Sequence, residues 1–346
     1  MTLKDKIGQL LIAGFKGDRV SASSPVIQAI EKHNLGGVIL FDRLLAEKSS
    51  QNNIISFKQT KALIGDLQSA AGNKLIVSVD QEGGLVNRFK KERGFPQTPQ
   101  AAQLGEHNDT AATTAAAQQT AGMLAEMGFT LNLAPVADLN LYRDNPIIGK
   151  YGRAFSDNCE KVALHAECWI REHHQYGLHC CLKHFPGHGS ARNDSHLGLV
   201  DISSYWQHDE LLPFRKLIES GLADSIMTGH LFNERLDPKY PATLSGATVN
   251  GLLRGELGFT GPVLSDDMQM QAITDHYGLE ECVIRALNSG VDLLVFGNNM
   301  VYDPDITEHV ITIILKALHN GSLEEAQLEA AWQRVQRLRQ LPLNNI

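Results

Sequence analysis

The segment richest in chemistry runs from Lys183 to His196, reading Lys-His-Phe-Pro-Gly-His-Gly-Ser-Ala-Arg-Asn-Asp-Ser-His, with three histidines, a lysine and an aspartate in fourteen residues. Gly187 and Gly189 suit a tight or mobile loop. Asp194 and His196 are two apart, so in an extended segment both side chains point to one side. The carboxylate can then hold one imidazole nitrogen and leave the other for proton transfer. Alone, such a pair reads as a turn with a solvated histidine; in a glycine-rich loop behind a strand it reads as an acid/base pair. The second cluster, Asp266-Asp267, closes the apolar run Gly261-Pro262-Val263-Leu264-Ser265. Asp266 is the candidate nucleophile, while Asp267 reads more simply as a cap on the following helix.

A carboxylate that traps an oxocarbenium-like centre, with a separate proton donor, is what retaining glycoside cleavage requires. The usual donor is a second carboxyl about 5–5.5 Å away. An imidazole oriented by Asp194 meets the same need, since it both gives and takes a proton near neutral pH. Asp80 can accept two hydroxyl hydrogens, and Arg88, Arg153, Lys183 and His184 can donate to ring hydroxyls or an acyl oxygen. Each alone reads as a surface or structural residue except Lys183, because a lysine ending an apolar strand is costly without a partner.

These residues need a scaffold that gathers them. Eight apolar runs of strand length alternate with helical periods: Leu10–Phe15, Gly37–Phe41, Leu75–Val79, Phe129–Val136, Gly177–Phe185, Asp224–His230, Pro262–Ser265 and Val291–Phe296. Most are apolar throughout, as parallel strands covered on both faces are. Helices are expected over Ser24–His33, Ile55–Ala71, Thr110–Met127, Asn158–Tyr176, Asp209–Ser220, Thr248–Leu257, Leu279–Ser289, Pro304–His319 and Leu323–Leu338, several with glycine just past the end. Eight βα units predict an α/β fold, a (β/α)₈ TIM-type barrel forming a single domain over residues 1–346, with C-terminal helices 304–338 packed on it. In a barrel, chemistry sits where strands end, and polar residues do follow the runs: Asp80-Gln81-Glu82, Asp138, Lys183-His184, His230, Asp266-Asp267 and Asn298-Asn299.

The 346-residue chain is 43% hydrophobic and 20% charged, which permits a large core. A net charge of −8 argues against a nucleic-acid partner. No apolar stretch reaches the ~18–20 residues that span a bilayer, so no membrane partner is expected. Five cysteines in an odd set without a C-x-x-C pair argue against a disulfide framework or structural zinc. Lacking a leader-like N-terminus, the chain is expected in the cytoplasm, or in the periplasm if a leader has been removed.

The segment Lys183–His196 resembles the signature of family 3 glycoside hydrolases, in the branch of bacterial β-N-acetylglucosaminidases. Leu35–Phe41, Val79–Gly84, Asn132–Asp138, Asn145–Gly149, Pro241–Ser245 and Leu264–Met268 resemble further blocks of that family in order, covering residues from about 35 to about 297. The resemblance implies a nucleophile at Asp266, an acid/base at His196 oriented by Asp194, and sugar contacts from Asp80, Arg88, Arg153, Lys183 and His184. It implies hydrolysis of terminal, non-reducing β-linked N-acetylglucosamine, as from peptidoglycan fragments, through a covalent glycosyl-aspartate. No cofactor or metal is expected, the partner is a carbohydrate, and the chain is expected as a monomer or weak homodimer. The β-glucosidase branch lacks Asp-Ser-His and takes its acid/base carboxylate from a second domain. Two departures from the pattern stand out. Ser190-Ala191 replace the commoner Asp-Thr, which bears on loop motion and leaving-group contacts. Leu85 stands where an arginine is common, a change expected to touch only supporting packing.

Other readings remain open on the residues alone. A β-glucosidase, β-xylosidase or glycoside phosphorylase would use the same scaffold. His184, His188, His196, His230 and Asp266 could hold zinc in a barrel hydrolase, although no H-x-H or H-E-x-x-H motif occurs. Lys183 could form a Schiff base, and a non-catalytic sugar-binding barrel would use the same polar groups.

Overall fold

The computed structural model describes residues 1–72, 74–107, 109–193 and 198–340. Eight parallel strands close a barrel: β1 (Leu11–Gly14), β2 (Gly37–Ile39), β3 (Ile76–Val79), β4 (Leu131–Asn132), β5 (His179–Phe185), β6 (Ser225–Thr228), β7 (Val263–Asp267) and β8 (Leu293–Phe296). Strands neighbour one another in chain order, and β1 closes the ring on β8 through Leu11–Leu294 and Ile12–Val295. All eight expected runs hold strands; seven are shortened at one or both ends, while Pro262–Ser265 loses its first residue and runs on to Asp267. The longest trim is in Phe129–Val136, where only Leu131–Asn132 pairs on both sides and Val136 forms a lone bridge with Lys183. The strands are buried on both faces, so they carry continuous apolar sequence rather than alternation.

The helices follow the expected order. Thr110–Met127 has the expected bounds and stops at Gly128, whose φ of 95° few other residues adopt. The expected helix Leu279–Ser289 begins earlier, at Gln271, with Gly278 breaking its φ/ψ regularity. The expected α-helix Thr248–Leu257 is instead wound as a π-helix over Ala247–Glu256. Short helices Leu3–Gly8 and Ala101–His107, and a two-stranded sheet of Val200–Asp201 with Leu231–Phe232, are additional. The C-terminal helices are Ile306–His319 and Glu325–Gln340. The latter is tied to the barrel by Asp292, just before β8, whose carboxylate takes Arg334 Nε at 2.8 Å, Arg254 Nη2 at 2.7 Å and the Val263 amide at 2.8 Å. No helix among the described residues is long and apolar enough to cross a membrane.

Two strands carry one residue more than their neighbours. Between Leu182–Ile226 and Phe185–Thr228, β5 advances three residues while β6 advances two. Between Leu264–Leu293 and Asp267–Val295, β7 advances three while β8 advances two. The surplus falls at Lys183-His184 and at Ser265-Asp266. An unpaired extra residue bends a strand and re-aims a side chain.

Candidate active site

The strand ends open into one cavity of about 630 Å³, lined among others by Asp80, Glu82, Arg88, Arg153, Lys183, His184, His188 and Asp266. This is the size and placement expected of a small-molecule site on a barrel. Every described residue singled out for catalysis or binding in the sequence therefore shares one chamber. Asp194 and His196 lie outside the described residues.

Lys183 is the hub. Its side chain is 2% exposed, and Nζ donates to Asp80 Oδ1 at 2.8 Å and to Glu82 Oε1 at 2.7 Å. Burial opposes its charge, but the two carboxylates outweigh this and raise its pKa above the usual lysine value. Burial likewise works against Asp80, yet Lys183 and Arg88, which donates to Oδ2 at 3.2 Å, hold its carboxyl well below the usual range. Glu82 is pulled down to about 2 despite burial, by Arg153 first and Lys183 second. Arg153 grips Glu82 with Nε and Nη2, both at 2.8 Å, in the fork geometry that favours arginine over lysine. Its Nη1 reaches Ile147 O at 3.3 Å, and Nη2 also reaches His184 Nε2 at 3.3 Å. With those donors engaged, Arg153 chiefly positions Glu82 and His184.

His184 is oriented from both sides. Its Nδ1 lies 2.8 Å from Asp138 Oδ2. Arginine only donates, so Nε2 must accept from Arg153 and Nδ1 carries the proton. Asp138 is fully buried and also accepts the His184 and His188 amides at 3.1 and 2.8 Å. Burial disfavours its charge, but His184 and these donors lower its pKa overall. Glu82 and Asp138 carry no assigned role in the sequence reading. Their signal was available: a buried Lys183 demands carboxylates such as Glu82, the adjacent His184 gains from one such as Asp138, and both acids follow barrel strands.

Both adjacent aspartates line the cavity. Asp267 does not cap the following helix, whose N-cap is Met270; its Oδ1 instead accepts the amides of Gln269 and Gly297 at 3.0 and 2.9 Å, because it lies four residues before that helix, at the junction of β7 and β8. His230 Nε2 meets the Asp267 carbonyl at 2.9 Å, and that contact makes it a donor. With His184 engaged at both nitrogens and His230 turned to a carbonyl, the zinc arrangement loses two of its ligands. Among the described residues no group of three His, Cys, Asp or Glu side chains is arranged to hold a metal.

The loop after β5 leaves the cavity wall at His188 and is tightly fastened at its start. Asn145 Nδ2 donates to His188 O at 2.8 Å and to Gly189 O at 3.3 Å, and Trp206 Nε1 donates to Pro186 O at 3.0 Å. A Cβ on Gly189 would sit 1.5 Å from Leu139 O, so close backbone approach requires this glycine. Ser190 and Ala191 are buried, which makes this departure part of the loop's footing. His188 is buried as well; burial, then the neighbouring His184, lowers its pKa to about 4. Leu85 corrects an expectation: it is 63% exposed and lines the cavity mouth, since it sits at the tip of the Gly83–Val86 turn rather than in packing.

Residues 2–338 match the Glycosyl hydrolase family 3 N terminal domain. A beta-hexosaminidase of Tolumonas auensis is 38% identical over 271 residues, covering 77% of this chain and 76% of that protein. A family 3 β-N-acetylglucosaminidase from Paenibacillus sp. superposes with a TM-score of 0.89 at 33% identity, covering 98% of this chain and 62% of the other. A β-N-acetylhexosaminidase from Beutenbergia cavernae superposes with a TM-score of 0.86 at 28% identity, covering 99% of each. With eight parallel strands, a cavity at their ends and a match over nearly its whole length, this chain belongs to glycosyl hydrolase family 3 and is a glycoside hydrolase.

Proposed function

We propose that the chain removes terminal β-linked N-acetylglucosamine with retention of configuration. Asp266 attacks the anomeric carbon to form a glycosyl-aspartate. His196, oriented by Asp194, protonates the leaving oxygen and then deprotonates the incoming water. Asp80, Arg88 and Lys183 bind ring hydroxyls, while Arg153 and His184 shape the acyl side of the pocket. The observation that carries this reading is the shared cavity: Asp266 faces the Lys183–Asp80–Glu82 cluster, and the loop bearing Asp194 and His196 leaves the same wall at His188. Peptidoglycan fragments suit as a source because they carry this sugar. Five free thiols suit a reducing cytoplasm.

The test compares aryl β-N-acetylglucosaminide with the β-glucoside and β-xyloside, using wild type, Asp266→Ala and His196→Ala. The expected outcome is preference for the N-acetyl sugar and loss of turnover in Asp266→Ala. His196→Ala should keep more activity on good leaving groups than on poor ones. Preference for the glucoside rejects the sugar assignment, and equal losses across leaving groups reject the role of His196.

A further inference from the structure

Asp80 and Glu82 line the cavity, while Gln81 between them is fully buried. Its side chain runs into the helix layer: Nε2 donates to Thr98 Oγ1 at 3.3 Å, and Thr98 Oγ1 meets Thr120 Oγ1 of the helix Thr110–Met127 at 2.9 Å. Its Oε1 accepts the Arg88 amide at 3.1 Å. One buried glutamine thus joins the stretch that carries both carboxylates to the arginine that contacts Asp80.

The backbone of Gln81 lies past the end of its ladder, since the pairing of β3 with β4 stops at Val79–Asn132. A buried amide and carbonyl are costly without partners, and the Asn132 side chain supplies both. Its Oδ1 accepts the Gln81 amide and its Nδ2 donates to Gln81 O, each at 3.1 Å. Asn132 is fully buried one residue before Leu133, which lines the cavity, so strand alternation turns Asn132 outward. There it meets His173 of the helix Cys159–Gln175, whose Nε2 lies 3.0 Å from Nδ2. His173 Nδ1 is 2.8 Å from Trp169 O, so Nδ1 carries the proton and Nε2 accepts. Burial keeps this ring neutral by lowering its pKa to about 4. An acceptor at that point admits the NH2 end of Asn132 and rejects its oxygen, which is the orientation that Gln81 requires.

We propose that Asn132 and His173 are positioning residues of the sugar site, setting Asp80, Glu82 and Arg88 through Gln81 without touching substrate. The inference rests on the reading of Asp80 and Arg88 as sugar contacts and adds the parts that hold them in place.

The experiment compares kcat/KM and thermal midpoint across four variants. His173→Phe keeps a ring against Trp169, whose centre lies 5.2 Å from that of His173, and removes the acceptor. His173→Gln restores an acceptor. His165→Phe is the control: this histidine is equally buried on the same helix, but its partners are Phe155 and Thr113. Asn132→Leu, of similar volume, removes both bonds to Gln81. His173→Phe should lose about threefold to tenfold in kcat/KM, His173→Gln should recover to within about twofold of wild type, and His165→Phe should lose less than about twofold. Asn132→Leu should lose roughly tenfold to a hundredfold, as small displacements of binding groups do. These losses should not track the thermal midpoint. A wild-type rate in His173→Phe, an equal loss in His165→Phe or an undiminished loss in His173→Gln overturns the positioning role. Should His173→Phe not fold, a wild-type rate in Asn132→Leu overturns it instead. Rates are read on whichever of the aryl β-N-acetylglucosaminide, β-glucoside and β-xyloside the wild type cleaves fastest. A preference for the glucoside then rejects the sugar assignment alone and leaves this comparison decisive.

Discussion

Glu210→Gln changes one atom and removes a charge that the fold accommodates poorly. Glu210 is fully buried on the turn His208–Leu211, and its Oε1 accepts the Gln207 amide at 3.1 Å. It abuts the start of the Lys183–His196 loop: a Cβ on Gly187 would fall 2.7 Å from Glu210 Cβ. Burial pushes its carboxyl from 4.5 up to about 7, with Asp138 adding repulsion, against hydrogen bonds from Ser190 and Gln207. For an acid whose folded pKa is raised, stability is fully present below the unfolded value and declines as pH climbs through the folded one. A rise of about 2.5 units at 1.36 kcal/mol each is about 3 kcal/mol, lost between roughly pH 4.5 and 7 and constant above that. Glutamine keeps the acceptor for Gln207 and cannot ionise. Urea unfolding of both proteins at pH 5, 6, 7, 8 and 9 isolates the effect, because all other titrations are shared and cancel in the difference. The variant's advantage should be below about 1 kcal/mol at pH 5 and approach about 3 kcal/mol by pH 8. A difference that stays flat from pH 5 to 8 refutes the buried-acid argument.

Two further outcomes follow from the same geometry. Lys183→Met leaves Asp80 and Glu82 without their shared cation and should cost about 3–5 kcal/mol in urea unfolding; a loss no larger than that of the half-exposed Lys90→Met would contradict the buried network. Arg192 stacks between the rings of Tyr142 and Tyr205 at 4.2 and 4.3 Å, two contacts worth about 0.5–1 kcal/mol each at exposed sites. Arg192→Ala should therefore speed hydrogen exchange of the amides at 187–192 and lower kcat on alkyl glycosides more than on aryl ones; unchanged exchange removes the clamp.

The barrel was legible because eight apolar runs spaced by helical periods leave few other arrangements, and of the strand-end polar residues Asp80, Glu82, Lys183, His184, Asp266, Asp267 and Asn299 do line one cavity. Features built from long-range pairing were not. Lys183 announced that it needed a partner, but nothing local says that Asp80 and Glu82, about a hundred residues earlier, would supply it. Two-residue strands such as Val200–Asp201 have no period to detect. The exposure of Leu85 depends on a turn resting on Gln100, a contact that apolar character alone misreads as packing. Glu210 falls inside the expected helix Asp209–Ser220, and nothing local says that Gly187 would pack against it.

The surplus residues in β5 and β7 place a demand on chain length rather than on composition. Successive strand side chains face opposite ways, so deleting one residue near Ser265 would exchange the outlooks of two chemically identical aspartates. Which of them would stand as the nucleophile of the proposed mechanism is thus decided by arithmetic along the strand. Under that mechanism a single-codon deletion there is expected to abolish turnover while leaving both aspartates in the protein.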